Sequence, residues 1–336
     1  MSADPHDSAS LWTLAWRRLC EDRLSLAALA VVALFLVLLG LSAAGLVAAD
    51  WEREVALNYA PPTFLGPDPA LAQAAAARAP APPNAFDPLA ADIAALRAHL
   101  PDAARTEAAR RTTLPFGADK WGHDVLLKTI KGGETSIVVG LVAALLAVGL
   151  GTLFGALAGF HGGVVDDLFN WFYSVFTSIP SILMILAVAA VLQHKGVAAI
   201  VLILGLTGWT GPFRLIRAEY IKHKARDYVL AADAIGASSW RKMFSHILPN
   251  VSHVALVQLS ILVVGFIKAE VILSFLGFGV PVGVVSWGSM LNEAQNELIL
   301  GKWWQLAAAS TAMAVLVTAF SLLTDGLRDA LDPKLA

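Results

Sequence analysis

Cysteine and charged residues are both scarce in this sequence. The 336 residues include one cysteine, Cys20, so no disulfide can form within the chain. Only 15% of the residues are charged and 57% are hydrophobic, whereas soluble domains have about 25% charged and about 45–50% apolar residues. The formal net charge of −2 gives no indication of a nucleic-acid partner. This composition argues against a soluble globular protein and against nucleic-acid binding.

Motifs for catalysis, metal binding and ATP binding are also missing. The eight histidines are scattered and show no HxxxH or HxxE spacing, so no metal site is predicted. The P-loop pattern G-x-x-x-x-G-K-[ST] does not occur, so the chain cannot bind ATP through that motif. No nucleophile–base combination stands out. We therefore predict that the chain is not an enzyme and has no cofactor of its own.

Long apolar runs are what the sequence has in abundance. They cover residues 25–49, 136–160, 180–192, 197–213, 251–277 and 305–324. A helix needs about 20 mostly apolar residues to cross a bilayer, and the first run is too long for the apolar part of a signal peptide. The sequence therefore predicts an all-α integral membrane protein with six transmembrane helices.

Basic residues set the predicted orientation. Arg17, Arg18 and Arg23 precede the first apolar run, and arginine and lysine near helix ends favour the cytoplasmic side. Six spans then place both termini in the cytoplasm. The predicted parts are a cytoplasmic amphipathic segment (1–24), the first transmembrane helix (25–49), an external Ala/Pro-rich loop (50–135), a five-helix core (136–325) with a polar loop at 214–250, and a cytoplasmic tail (326–336).

The predicted external loop has two kinds of sequence. Residues 60–86 are rich in alanine and proline and are expected to be extended and loosely ordered. Residues 88–111 are compatible with one helix. Neither composition is typical of a packed catalytic domain.

Small residues recur within the apolar runs. Gly151, Gly155 and Gly159 are four residues apart, and small residues on one face let helices approach closely in lipid. Packing within the bundle is favoured over dimerisation. In the fourth run, Gly208 and Pro212 indicate a kinked end.

A polar segment at 227–250 separates the fourth and fifth runs. We predict short helices at 228–235 and 238–246, joined by a turn at Gly236, because glycine accepts positive φ. Pro249 is expected to end the second helix. Trp240, Met243 and Phe244 are spaced to share one helix face, and a large apolar face outside the membrane favours a partner. Basic residues around the segment predict that it is cytoplasmic; they are Arg214, Arg217, Lys222, Lys224, Arg226, Arg241 and Lys242.

Two charged residues lie within the fifth run. Lys268 and Glu270 are two residues apart and cannot share a helix face, so a simple ion pair is not expected. Charges at such depth are costly. Glu270 is either an interfacial charge near the outer boundary or part of a translocation pathway.

Several motifs in order resemble a known family. Ala231-Ala232, then Gly236, then Leu248-Pro249 resemble the "EAA" coupling loop of ABC-importer membrane subunits, although Leu230 stands where that motif has glutamate. Other matches are to signatures of dipeptide and oligopeptide permeases, with Glu134 in place of a family arginine. The matching residues on the external side are Gly117, Asp119, Gly122, Asp124, Trp287 and Gly288.

The chain therefore resembles the C-type membrane subunit of dipeptide/oligopeptide-type ABC importers. The resemblance implies a type I importer-like permease bundle in the bacterial inner membrane and a cytoplasmic elbow that couples to an ATPase. It also implies a second homologous permease, one or two cytoplasmic ATPases that bind ATP and Mg²⁺, an external substrate-binding protein and surrounding lipid. The residues expected at the ATPase contact are Ala231, Ala232, Asp233, Gly236, Trp240, Arg241, Met243, Phe244, Leu248 and Pro249.

Two other functions remain open from the sequence. A secondary transporter or channel could work without an ATPase, although no internal repeat supports it. A membrane anchor or assembly protein could use residues 50–115 as its working part. The substrate is also open, because relatives of peptide permeases carry peptides, nickel, opines or sugars.

Overall fold

The computed structural model describes residues 11–69, 88–99, 110–192, 196–281 and 283–331, and over these ranges the regular secondary structure is helical. The twelve helices of these ranges are α1 (Leu11–Glu21), α2 (Arg23–Ala43), α3 (Ala90–His99), α4 (Val125–His161), α5 (Gly163–Thr177), α6 (Ser181–Leu192), α7 (Val197–Thr207), α8 (Thr210–Lys224), α9 (Asp227–Ala234), α10 (Ser239–Phe275), α11 (Trp287–Ile299) and α12 (Trp304–Leu331). A short 3-10 turn covers Thr63–Leu65.

Four of these helices are long and apolar enough to cross a membrane, namely α2, α4, α10 and α12. Two further pairs pass the same test together: α5 with α6, bent by 87°, and α7 with α8, bent by 40°. The prediction of an all-α membrane protein with six spans is confirmed when each bent pair counts as one span. The kink expected near Gly208 is the bend between α7 and α8.

Several helix bounds differ from the predicted runs. Helix α2 ends at Ala43 rather than at residue 49, and α8 continues to Lys224 instead of ending near 213. Helix α4 begins at Val125, eleven residues before the predicted start at 136. The carboxylate of Asp124 caps it by accepting from the Leu126 amide at 2.8 Å. Its first turns carry lysines, which hid them from a search for apolar runs.

Helix α4 lies at the centre of the bundle and packs against α7, α8 and α10. At Gly151, Gly155 and Gly159 a side chain would meet the backbone of α8: an added Cβ would lie 2.6, 2.8 and 2.6 Å from the carbonyl oxygens of Trp209, Phe213 and Arg217. These glycines therefore let α4 and α8 touch backbone to backbone, which confirms that the small residues serve packing within the bundle.

Aromatic side chains join α5 to α8. Phe172 stacks on Trp209 with ring centroids 5.3 Å apart, and Tyr173 lies 5.7 Å from Phe213. The carboxylate of Asp166 accepts two hydrogen bonds from Arg217, each 2.5 Å long. A bidentate pair of this kind fixes orientation as well as distance.

The connection between α2 and α4, here called the connecting segment, is ordered in its described parts, 44–69 and 110–124. Leu57 and Tyr59 donate backbone hydrogen bonds to the carbonyls of Arg111 and Asp119. Ala56 and Ala60 are fully buried against Leu114 and Ala118. The expectation of a loose chain is thus wrong for residues 60–66, because the small side chains of alanine let two strands of backbone pack closely. Residues 70–87 and 100–109 lie outside the described ranges; helix α3 (Ala90–His99) lies within the stretch 88–111 for which a helix is predicted.

Candidate functional site

The segment Asp227–Ile247, here called the elbow, turns the chain between α8 and α10. Helix α9 ends at Ala234, and Gly236 follows with φ of +78°. The amide of Ala237 donates to the carbonyl of Ala232, which closes the turn. Ser238 then caps α10 by accepting from the Arg241 amide at 3.3 Å. The predicted turn at Gly236 is confirmed.

Pro249 does not end the second helix, contrary to the prediction, although it does lie in the expected first turn of the α-helical part Leu248–Phe275. The helix is continuous from Ser239 to Phe275. It widens into one π-helical stretch at Lys242–Ile247, in which the Leu248 amide donates to the carbonyl of Met243. Proline lacks an N–H and its ring collides with the carbonyl four residues earlier. The wider turn before Pro249 accommodates both effects, so the elbow and the transmembrane part of α10 form one rod.

One face of the elbow is buried against the chain's own bundle. Met243 and Ile247 are 1% and 0% exposed and pack with Tyr220 and Phe160. The hydroxyl of Tyr220 donates to the carbonyl of Met243 at 3.1 Å. Met243 therefore does not share an exposed face with Trp240 as predicted, because the π turn rotates it towards α8.

Several other apolar side chains of the elbow are exposed. Trp240 is 65% exposed, and its ring lies 4.2 Å from that of Phe244, which is half-buried. Leu230 and Ile235 are also exposed, at 55% and 85%. Leu230 and Ile235 are not among the residues predicted for the contact surface. Their position beside the Gly236 turn, on the side away from buried Val229 and Ala232, is the signal that could have identified them.

Two charged residues of the elbow pair with each other. Lys242 pairs with Asp233, so these two close the turn on itself. Lys242 also lies 5.8 Å from the centre of the Phe160 ring. Arg241 is exposed. Of the remaining predicted contact residues, Ala231 and Pro249 are exposed, Leu248 is half-buried and Ala232 is buried.

Glu270 is fully buried between α4, α10 and α11. Its carboxylate accepts from Ser136 at 2.7 Å and from Ser274 at 2.6 Å. Ser136 in turn accepts from the Trp287 amide at 3.2 Å. Lys268 is exposed on another side of the helix, which agrees with the expectation that the two charges do not pair. Through these hydrogen bonds Glu270 helps to join α4, α10 and α11.

The residues matched to external signatures assemble the end of the bundle where α4 begins. Gly117 and Gly122 have φ of +81° and +83°; an added Cβ would lie 2.7 Å from the Trp304 ring and 2.2 Å from the Ala56 carbonyl oxygen. The indole of Trp304 donates to the Ala118 carbonyl at 2.7 Å. Only glycine fits at both positions, which ties the connecting segment to α12.

Asp119 is the polar centre of this end. It is fully buried and accepts from the amides of Trp121 and His123 and from the ammonium of Lys128, the last at 2.7 Å. Burial opposes ionisation, but Lys128 and the hydrogen bonds outweigh it and lower the pKa of the Asp119 carboxyl group. Lys128 also donates to Glu293 at 2.6 Å, so it links the connecting segment to α11.

Trp287 and Gly288 close the same end from the α11 side. The Trp287 indole donates to the Thr129 carbonyl at 2.9 Å and lies over Gly133 of α4. A Cβ at Gly288 would lie 2.5 Å from that of Ser274. Both residues therefore position α11 between α4 and α10.

Comparison with known proteins identifies the family. Residues 151–336, more than half of the chain, match the family of binding-protein-dependent transport system inner membrane components. The chain belongs to this family. The matched range contains the whole elbow, Glu270 and α11, and it begins after the residues 117–124 of the connecting segment.

Curated relatives of this transport-system component are permease subunits. The dipeptide transport system permease protein DppC of Bacillus subtilis is 36% identical over 220 residues, 66% of this chain and 68% of the relative. The oligopeptide transport system permease protein OppC of the same species is 36% identical over 220 residues and is covered to 72%. OppC of Haemophilus influenzae is 33% identical over 219 residues and is covered to 70%.

Proposed function

We propose that this inner membrane component is one permease subunit of an ATP-driven peptide importer. It pairs with a second, homologous permease, and the two line the translocation pathway. The relatives are named for dipeptide and oligopeptide transport, which supports peptides as the substrate class. An external binding protein delivers the substrate, as the family description implies.

The proposal rests mainly on the exposed apolar residues of the elbow. The elbow presents Trp240, Ile235 and Leu230 to solvent while Met243 and Ile247 anchor it to the bundle. An exposed tryptophan supported by a fixed scaffold is the kind of residue that dominates a protein interface. We assign this face as the contact with a cytoplasmic ATPase, with Arg241 at its rim.

ATP hydrolysis takes place on the partner chains. The sequence contains no P-loop motif, so ATP and Mg²⁺ bind to one or two ATPases docked at the elbow. Basic residues near the elbow and before α2 support a cytoplasmic location for both. The chain is then a multi-pass protein of the bacterial inner membrane with both termini in the cytoplasm.

The test is recovery of the complex in mild detergent from the native host. Tagged full-length chain is isolated, and co-purifying proteins are identified by mass spectrometry. We expect a second six-helix permease and one or two ATPases with P-loop motifs. Trp240→Asp should reduce recovery of the ATPase by about 30-fold or more, which corresponds to the loss of about 2 kcal/mol for a central interface residue.

Matched variants separate docking from folding. Trp240→Phe keeps an aromatic ring and should retain the ATPase, while both variants should keep the second permease. Equal ATPase recovery with Trp240→Asp would refute the contact at this face. Recovery of the chain alone, with peptide uptake in vesicles that lack ATP, would instead identify a secondary transporter.

A further inference from the structure

Glu297, on α11, is a buried carboxylate that the proposed transport function does not use. Its residue is 1% exposed, and neither carboxylate oxygen has a hydrogen-bond partner among the described residues. A buried charge without partners costs several kcal/mol or more, so such groups favour their neutral form. The side chain lies at the end of the bundle where the connecting segment meets α4, α11 and α12.

The nearest cation has no hydrogen left for Glu297. The ammonium of Lys128 has three donors, and it contacts Asp119 at 2.7 Å, Glu293 at 2.6 Å and Gln305 at 3.3 Å. The Gln305 amide nitrogen already donates both of its hydrogens, to the Met290 carbonyl at 3.2 Å and to Glu293 at 3.4 Å. Glu297 is therefore a third carboxylate beside a lysine already shared by two.

The charged and titratable groups around Glu297 come from each adjoining element. The connecting segment contributes Tyr59 and Asp119, α4 contributes Lys128, and α11 itself contributes Glu293; α12 contributes the neutral amide of Gln305. Beyond Asp119 lies His123, whose Nδ1 is 2.9 Å from that carboxylate. Two negative groups and one positive group thus act on Glu297 directly.

These surroundings shift the pKa of Glu297. Burial, with smaller contributions from the charges of Asp119 and Glu293, raises the pKa to about 7 against the opposing effect of Lys128. The amide of Lys120 also favours the charged form, although it makes no hydrogen bond of good geometry with either oxygen. Burial and the charges of Glu297 and Asp119 raise the pKa of Tyr59, so its phenol stays neutral near pH 7.

We propose that Glu297 is a proton-binding site that controls how firmly the connecting segment is attached to the bundle. A proton from water binds one carboxylate oxygen, leaves Glu297 neutral and allows Lys128 to stay on Asp119. When the proton leaves, the new carboxylate competes for Lys128 and weakens its bond to Asp119. A metal ion is not the favoured ligand, because no group of three or more His, Cys, Asp or Glu in the described ranges could hold one.

The direction of the pH effect follows from proton linkage. The folded pKa of about 7 lies above the ordinary value of 4.5, so the folded state binds this proton more tightly than the unfolded state does. The contribution of the bound proton to stability is present at acidic pH and is lost as the pH rises through about 7.

The first experiment measures protonation directly in the full-length chain in lipid nanodiscs. Infrared difference spectra are recorded as a function of pH, and the C=O band of a protonated carboxylic acid is followed. We expect a band that disappears with a midpoint near pH 7, that is absent in Glu297→Gln and that persists in Glu54→Gln, whose carboxylate is exposed and paired with Arg110. The absence of such a band, or its persistence in Glu297→Gln, would overturn the proposal.

A second variant tests the environment without removing the site. Glu293→Gln removes one negative charge beside Glu297, which favours the ionised form of Glu297, while the glutamine oxygen can still accept from Lys128. The midpoint of the infrared titration should therefore fall, and an unchanged midpoint would contradict the proposed cluster. Thermal melting of the wild type should show a midpoint temperature that decreases as pH rises through about 7, a dependence absent from Glu297→Gln. None of these readouts needs an ATPase or a substrate, so their failure leaves the importer proposal untouched.

Discussion

Trp240 and Met243 are three residues apart on one helix and lie in opposite environments. Met243 is 1% exposed among the residues that anchor the elbow, whereas Trp240 is 65% exposed. Met243→Ala should lower the free energy of unfolding by about 2–5 kcal/mol, the range for a large side chain lost from a core. Trp240→Ala should change it by about 0.5 kcal/mol or less. Thermal melting of both variants in detergent checks this contrast, and equal losses would contradict it.

Substitutions at Gly236 test whether the elbow requires a fixed turn in its backbone. Its φ of +78° is costly for a β-branched residue, while a Cβ there would meet no atom within 4 Å. Gly236→Val should thus strain the turn by about 1–2 kcal/mol without any clash, and on the proposed function it should lower peptide uptake per ATP hydrolysed. Gly236→Asn is the control, since asparagine tolerates this conformation. Normal coupling in the valine variant would argue against a fixed turn angle.

At the scale of elements, the contact between α4 and α8 depends on glycine. Gly155 has the carbonyl oxygen of Phe213 within 2.8 Å of an added Cβ, whereas Gly149, on the same helix, has nothing within 4 Å. Gly155→Val should force the helices apart and destabilise the protein by about 1–3 kcal/mol or more. Gly149→Val should be nearly neutral. Melting temperatures in detergent compare the two, and similar values would mean that the close approach is unimportant.

Apolar periodicity predicted the elements well where packing partners are lipid or other apolar helices. It failed at the start of α4, because Lys128 is buried there against two carboxylates, of which Asp119 is nine residues away and Glu293 is on α11. It also failed at Pro249, where a π turn lets the helix continue. Both features depend on contacts between different elements. Lys128 is paired by Glu293 of α11, and the Met243 carbonyl in the wide turn accepts from Tyr220 of α8.

Only part of the candidate site could be predicted from the sequence, for the same reason. Gly236 and the exposed position of Trp240 follow from local rules of turns and helix faces. The inward position of Met243 and the Asp233–Lys242 pair follow from the tertiary fold of the elbow on α8. Glu134, which replaces a family arginine, accepts from Ser42 of α2 and from Lys131; nothing near it in sequence indicates the first of these partners.

For the whole molecule, Lys128 is a buried cation that joins separate elements of the fold. Its partners Asp119, Glu293 and Gln305 lie on the connecting segment, α11 and α12. Lys128→Met should cost about 3–5 kcal/mol, because it leaves buried Asp119 without its cation. The double variant Lys128→Met with Asp119→Asn should recover part of this loss, since it removes the orphaned charge. Chemical denaturation in detergent measures both, and strict additivity would contradict the pairing.

The continuity of α10 through Pro249 has a mechanical consequence. Its 37 residues form a rod of about 55 Å, with Trp240 near one tip and Ser274, which hydrogen-bonds Glu270, near the other. On the proposed function, a displacement of the Trp240 end is transmitted along this unbroken helix to the Ser274 end and its contact with Glu270, without passing through a joint.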